Sequence, residues 1–248
     1  MPAHTSRPIT ALTAAVLGIF LVPGCGAGHA TGATGGPASA GKHTLVAPLT
    51  VAQLKDAALM DADVPQVKAE MNVQEVKHQP SKFPPVSEPA CRTYLDIGTG
   101  ERSYARVEQL YDWKDDVYPG NSTLASYEAG AAERNFAELK KVLATCRTFE
   151  AENWTGKHTV SITVEAPPPF GDEAVTLREH VSLPDGPAAD KQVTVVRAGN
   201  TIATFTRLDI GRSSSFPTEL IERQVGRLNN VQQNAVSADG AAQGEGSG

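Results

Sequence analysis

The sequence lacks several features on which common functional classes depend. Three cysteines in 248 residues are too few for a disulfide-dense miniprotein. The 22 basic side chains are outnumbered by 28 acidic ones, and the net charge of -6 argues against a nucleic-acid partner held by bulk charge. No C-x-x-C or H-x-x-x-H spacing offers a metal site, and no G-x-S-x-G motif offers a nucleophile. We therefore expect no metal, no cofactor and no nucleic-acid partner, and we assign no catalytic residue.

Long hydrophobic runs are also scarce, and the longest lies near the N-terminus. Residues 9–22 carry no charge and follow Arg7. This run of 14 residues fits the apolar core of a signal peptide, which has about 7 to 15, and is shorter than the about 17 to 25 that span a bilayer. We interpret residues 1–24 as the signal peptide of an exported protein.

The residues that follow resemble the lipobox of bacterial lipoproteins, whose cysteine becomes linked to diacylglycerol. The match is LVPGC at residues 21–25. Pro23 departs from the small or β-branched residue that is usual two positions before the cysteine. Cys25 is thus the predicted lipidation site, and the membrane is a predicted partner through this anchor. Residues 25–44 are rich in Gly and Ala and predict a flexible tether. Residues 232–248 are small and polar and predict a disordered tail, which leaves residues 45–231 as one domain.

Cys91 and Cys146 remain as an even pair in an exported chain. An oxidising exterior favours a disulfide between them. Closing a loop between cysteines 55 residues apart stabilises the fold by about 4 kcal/mol in the chain-entropy model. The alternative is a catalytic thiol, for which neither cysteine has a histidine within several residues in the sequence.

Periodicity predicts helices and strands in one α+β domain. Apolar residues at helical spacing predict helices over residues 51–60, 131–146 and 218–230. A short helix or turn is expected around residues 85–93. Alternation and turn residues predict strands near residues 104–107, 122–127, 158–164 and 173–181, and a hairpin over 192–197 and 201–208. We expect an antiparallel sheet flanked by helices in a single domain.

Several short motifs together resemble the PknH-like extracellular sensor domain, which occurs outside actinobacterial receptor kinases and in related surface lipoproteins. They are the Leu-Thr pair at 49–50 with Leu54, the helix that closes at Cys146, PFGDE at 169–173, and VVRAGNT at 195–201. The resemblance spans residues 49–230 and implies a mixed sheet flanked by helices, with a cleft for an unidentified ligand. The family commonly has two disulfides, whereas this chain offers one pair.

Aromatic residues concentrated in loops are the candidate ligand-binding residues. Such rings line many ligand grooves, although packing in the core is the alternative explanation for them. The candidates are Tyr111, Trp113, Tyr118, Trp154 and Phe170.

The acidic segment YDWKDD supplies Asp112, Asp115 and Asp116. A calcium loop would need a glycine turn and a distant glutamate that this segment lacks, so we predict a solvated bend.

Two hypotheses of function follow, with a plainer third. The first is a lipid-anchored, extracytoplasmic ligand-binding or sensor-like lipoprotein, with an unknown small molecule or protein as its ligand. The second is an envelope hydrolase that uses His158 or His180 with a nearby carboxylate. The third is a structural surface protein without a small ligand.

Overall fold

The computed structural model describes residues 47–68, 71–77, 86–153, 156–182 and 186–244. All of them belong to one compact unit, which extends over residues 44–248. The predicted signal peptide, Cys25 and the whole of the predicted tether lie outside the described residues. Among the residues described, no helix is both long enough and apolar enough to cross a membrane.

The centre of the fold is an eight-stranded sheet in which all neighbouring strands are antiparallel. The spatial order is β1-β2-β3-β8-β7-β6-β5-β4. The strands are β1 (Val73–Glu75), β2 (Ala105–Tyr111), β3 (Gly120–Ser126), β4 (Thr148–Asn153), β5 (Gly156–Glu165), β6 (Glu173–Ser182), β7 (Ala189–Ala198) and β8 (Thr201–Ile210). The predicted α+β class and the predicted hairpin of β7 and β8 are confirmed.

Four α-helices flank the sheet in the described part of the chain. They are α1 (Val51–Ala57), α2 (Pro89–Gly98), α3 (Ala131–Leu143) and α4 (Thr218–Gly244), with one short 3-10 helix at Asp61–Asp63. Thr50 caps α1, because its hydroxyl accepts from the Gln53 amide while the Gln53 side chain accepts from the Thr50 amide. Gln53 thus completes a capping box that fixes where α1 begins.

One face of the sheet packs against α1 and α4. Its hydrophobic core joins Leu54 of α1 and Leu220 and Leu228 of α4 to residues of β2, β3, β8 and β7, and it contains no residue of β4 or β5. We call this the first face. The predicted apolar stripe of the last helix is confirmed, because Leu220, Ile221, Val225 and Leu228 are all buried.

The opposite, second face packs against α2 and α3. Its core joins Phe136 and Leu139 of α3 to residues of β3 to β8, and it contains no residue of β1 or β2. The predicted disulfide is confirmed here, because Cys91 of α2 and Cys146 after α3 are bonded with both residues buried. The disulfide ties together the two helices that cover this face. Since both sulfurs are bonded to each other, neither is a free thiol nucleophile.

The last helix is longer than predicted, because it continues past residue 230 to Gly244. Gln232 accepts from the Asn200 amide (3.0 Å) and donates to the Ala198 carbonyl (3.0 Å), and so binds the turn between β7 and β8. Val231 and Ala235 pack on the hydrophobic core of the first face. Composition alone marked residues 232–248 as a tail, but this turn gives the helix a surface on which to continue.

We expect replacement of Gln232 by alanine to lower the free energy of unfolding by about 1 kcal/mol, since two hydrogen bonds to the turn are lost. Urea unfolding of the purified chain measures this difference. The matched control is Gln233→Ala, which makes the same change on an exposed position of the same helix. Equal unfolding midpoints for the two variants would contradict a role of Gln232 in holding α4 against the sheet.

Candidate functional site

An open groove of about 430 Å³ lies along β1 and β2 at one edge of the sheet. We call it the β1–β2 groove. Six of its eight lining residues are of polar or charged types, and the full lining is Val67, Asn72, Gln74, Glu108, Gln109, Leu110, Asp112 and Asn121. The volume falls within the range of about 300 to 1,000 Å³ that is typical of small-molecule sites. The groove is therefore the candidate binding site.

The strand register places four of these side chains on the second face. Gln74 lies opposite Glu108, and Leu110 lies opposite Asn121. Directly paired residues of antiparallel strands project to the same side of the sheet. Because Asn121 pairs with Thr206 and Thr206 with Val193, this set shares the side on which Val193 is buried beneath α2 and α3.

Helices α2 and α3 do not cover the second face at this edge, as the exposed fractions of two apolar side chains show. Leu110 of β2 is 57% exposed, whereas Val193 of β7 in the same row is 2% exposed. An exposed leucine near the end of a strand contributes apolar area that water does not stabilise. The groove thus combines one apolar contact surface with a ring of polar groups.

Some of the polar groups in the groove are already used by the fold. Gln109 donates to the Leu59 carbonyl (2.7 Å) and accepts from the Tyr111 hydroxyl (3.0 Å), so both ends of its amide are occupied. Asn121 accepts from Thr206 through Oδ1, and its Nδ2 donates to no described residue. Among the residues that the structure describes, Asn72, Gln74 and Glu108 make no side-chain hydrogen bond or ion pair. These four side chains are therefore available to a ligand.

The loop between β2 and β3 contributes Asp112 to the groove lining, and a buried ionic cluster holds a later residue of the same loop, Asp116. Asp116 is 2% exposed and pairs with Arg207 (3.0 Å) and Arg212 (3.3 Å). Arg212 also pairs with Asp209 at 2.6 Å. The Tyr118 amide, together with both arginines, lowers the pKa of Asp116 below its ordinary value, although burial acts in the opposite direction. Asp116 is thus held as a carboxylate.

The fold is similar to that of an experimentally solved extracellular domain. The crystal structure of the extracellular domain of PknH from Mycobacterium tuberculosis matches with a TM-score of 0.53 and 14% identity, over 76% of this chain and 99% of that one. The chain shares the fold of the PknH extracellular domain. A STAR-related lipid transfer protein fragment from Xanthomonas axonopodis matches with a TM-score of 0.29 and 14% identity, over 54% and 92% of the two chains, which is too weak to support an argument. No family model and no curated protein matches the sequence.

Two of the five aromatic candidates, Tyr111 and Trp113, lie in the core of this PknH-like fold. Tyr111 and Trp113 are stacked with ring centroids 5.5 Å apart, and Phe216 meets both edge-on. Their burial leaves no ring face open to a ligand, so packing, the alternative explanation, accounts for these two. Tyr118 is half-buried, Phe170 packs partly buried on the first core, and Trp154 lies outside the described residues.

The prediction of a solvated acidic bend is wrong for Asp116 and fits Asp112 and Asp115, which are exposed. The arginine partners of Asp116 lie more than ninety positions away in the sequence, at 207 and 212. No local pattern around YDWKDD signals such partners. The described residues contain no group of three potential metal ligands.

The histidines do not form a catalytic constellation among the described residues. His180 Nδ1 lies 3.1 Å from Asp190 Oδ1, and Ser161 pairs with His180 across β5 and β6. No described hydroxyl makes a hydrogen bond with His180, however, and its side chain is 51% exposed. His158 contacts only the Gly156 carbonyl, at 3.4 Å. His180 thus has a carboxylate partner, Asp190, which the sequence did not name, and this pair lies on an open sheet surface.

The family resemblance implied a cleft, but sequence reasoning missed where the groove lies and which residues line it. Its polar members, among them Gln74, Glu108 and Asn121, are ordinary surface residues in the sequence. Only the pairing of β1 with β2 and β2 with β3 brings them together. The three-residue strand β1 carries no periodic signal that could have revealed this pairing.

We expect Asp116→Asn to lower the free energy of unfolding by about 3 kcal/mol at neutral pH, because Arg207 loses its charged partner at a buried site. The difference from the wild type is full above the unfolded-state pKa of about 3.9 and disappears as the pH falls through the lower folded-state pKa. Urea unfolding at several pH values measures it. The control is Asp115→Asn on the exposed neighbour, for which a change within about 0.5 kcal/mol is expected. If both variants are equally stable, Asp116 does not hold the loop.

Proposed function

We propose that this protein is a lipid-anchored, extracytoplasmic, sensor-like lipoprotein that binds its ligand in the β1–β2 groove. The observation that carries the proposal is an open groove whose lining includes three polar side chains without a partner among the described residues, Asn72, Gln74 and Glu108, and the free Nδ2 of Asn121. Polar groups at a folded surface are normally satisfied by water, and a ligand that matches their positions can replace that water.

The arrangement favours binding over hydrolysis. A hydrolase needs a nucleophile, a base and an oxyanion site that converge in a sheltered pocket. The His180 and Asp190 pair lies on the open first face, whereas the groove lining belongs largely to the second face. The groove lining includes no histidine, serine, threonine or cysteine. A hydrolase that combines the two sets of residues is therefore disfavoured by their separation.

The N-terminal segments support attachment outside the cytoplasm. The apolar run at residues 9–22 resembles the core of a signal peptide, and LVPGC at 21–25 resembles a lipobox. Two acyl chains anchor a protein stably, where one chain would be marginal. A Gly-rich tether of this length has a root-mean-square reach on the order of 20 Å. Similarity in fold to the PknH extracellular domain agrees with a receptor-like role at the same location.

We expect the purified chain to retain a ligand from lipid or glycan extracts of the cell envelope, and Leu110→Arg to weaken retention at least about tenfold by filling the groove. Native mass spectrometry of wild type and variants measures this. The matched control is Val164→Arg, which changes another exposed apolar strand residue, 46% exposed on β5, outside the groove. Retention of the ligand by the Leu110 variant, or no ligand on any chain, would contradict the proposal.

We expect Cys25→Ser to abolish incorporation of a labelled fatty acid and to release the protein from the membrane fraction. The sulfur of Cys25 is the proposed attachment point, and a serine hydroxyl does not replace it. Metabolic labelling followed by fractionation of the cells provides both readouts. Cys91→Ser with Cys146→Ser is the control, since labelling through Cys25 should persist without these thiols. Fatty acid on the Cys25 variant would place the anchor elsewhere.

A further inference from the structure

We infer that the β1–β2 groove takes a neutral, hydroxyl-rich ligand, the chemical class of a glycan. The inference rests on the proposed function, and it adds the class of ligand. It follows from the charges, the hydrogen-bonding capacity and the apolar surface of the lining, each of which excludes other classes.

The charge of the groove argues against an anionic ligand. Its lining contains two acids, Glu108 and Asp112, and none of its lining residues is Lys or Arg. Lys68 approaches Asp112 at 3.4 Å from outside the lining and offsets that one charge. Glu108 has no ion pair with the described residues. A phosphate, sulfate or carboxylate would thus meet a carboxylate without a compensating cation.

The hydrogen-bonding groups require a ligand that both donates and accepts. Asn121 has its Oδ1 occupied by Thr206, so its free Nδ2 needs an acceptor from the ligand. Glu108 as a carboxylate only accepts, so it needs a donor. Asn72 and Gln74 do both. An ammonium group donates only and leaves Asn121 unsatisfied, whereas a hydroxyl group donates to Glu108 and accepts from Asn121.

The apolar part of the groove suits the carbon face of a sugar ring. Leu110 is 57% exposed and lies directly opposite Asn121, so an apolar surface and an amide donor are neighbours across β2 and β3. A pyranose presents C–H groups on one face and hydroxyls around its rim. A lipid chain, in contrast, would need a continuous apolar channel, and the lining offers only Leu110 and the buried Val67 as large apolar residues.

The decisive experiment measures binding to an array of neutral and anionic oligosaccharides, with vesicles of phosphatidylglycerol as a lipid probe. We expect the wild-type chain to bind one or more neutral oligosaccharides. Asn121→Asp replaces the free donor with an acceptor at nearly the same shape, and we expect it to weaken binding at least about tenfold. The matched control, Asn229→Asp on the exposed side of α4, should bind as the wild type does.

A second variant separates a hydroxyl ligand from a cation. Glu108→Gln keeps an acceptor and removes the charge, so binding of a neutral glycan should change by no more than about threefold. A loss comparable to that of Asn121→Asp would instead indicate an ammonium ligand and overturn the inference. Binding to anionic glycans alone, or to vesicles alone, would also overturn the inference. The proposed function would still stand in that case if the wild-type chain retains a ligand from the extracts and the Leu110→Arg variant does not. If neither the array nor the extracts yield a ligand, both proposals fail.

Discussion

The two pairs of helices cover different parts of the sheet, and this difference determines which strands are left open to solvent. An eight-stranded sheet exposes two broad apolar faces, and each needs cover. Helices α1 and α4 cover the first face over β2, β3, β8 and β7. Helices α2 and α3 cover the second face over β3, β8, β7, β6, β5 and β4. Only the central strands are covered on both sides, which explains why Val195 and Val196 of β7 are both fully buried. The outer strands keep one open face each.

The two open faces differ in chemistry, and this difference separates the binding hypothesis from the hydrolase. The first face at β4 to β6 is a polar surface with exposed residues such as Thr159, Ser161 and Thr163, which are ordinary for a solvated strand. The second face at β1 to β3 carries the groove, whose lining sets the exposed Leu110 beside polar side chains such as Gln74, Glu108 and Asn121. This uncovered combination of apolar and polar groups is what gives the second face its binding potential.

Local patterns in the sequence predicted most of the elements but not how they meet. The capping box at Thr50, the alternation in β5 and the Gly-Asn turn between β7 and β8 are encoded within a few residues, and all three were predictable. The extension of α4 depends on Gln232 meeting a turn more than thirty residues away, and the burial of Asp116 depends on Arg207. Tyr111 and Trp113 resemble loop aromatics until the packing of Phe216 places them inside. Contacts between distant segments have no periodicity, so composition and spacing do not reveal them.

Thiol labelling at two positions of the second face tests most directly whether α2 and α3 leave β2 uncovered. The two positions, 110 and 193, belong to the same row of residues paired across the strands. In the full-length chain carrying Cys25→Ser, Leu110→Cys lies on the open strip and Val193→Cys lies beneath α2 and α3. The account predicts that the thiol at 110 reacts under native conditions at the rate of an exposed cysteine, and that the thiol at 193 reacts only after denaturation. Equal protection of both thiols would show that the edge is covered and that the groove does not exist.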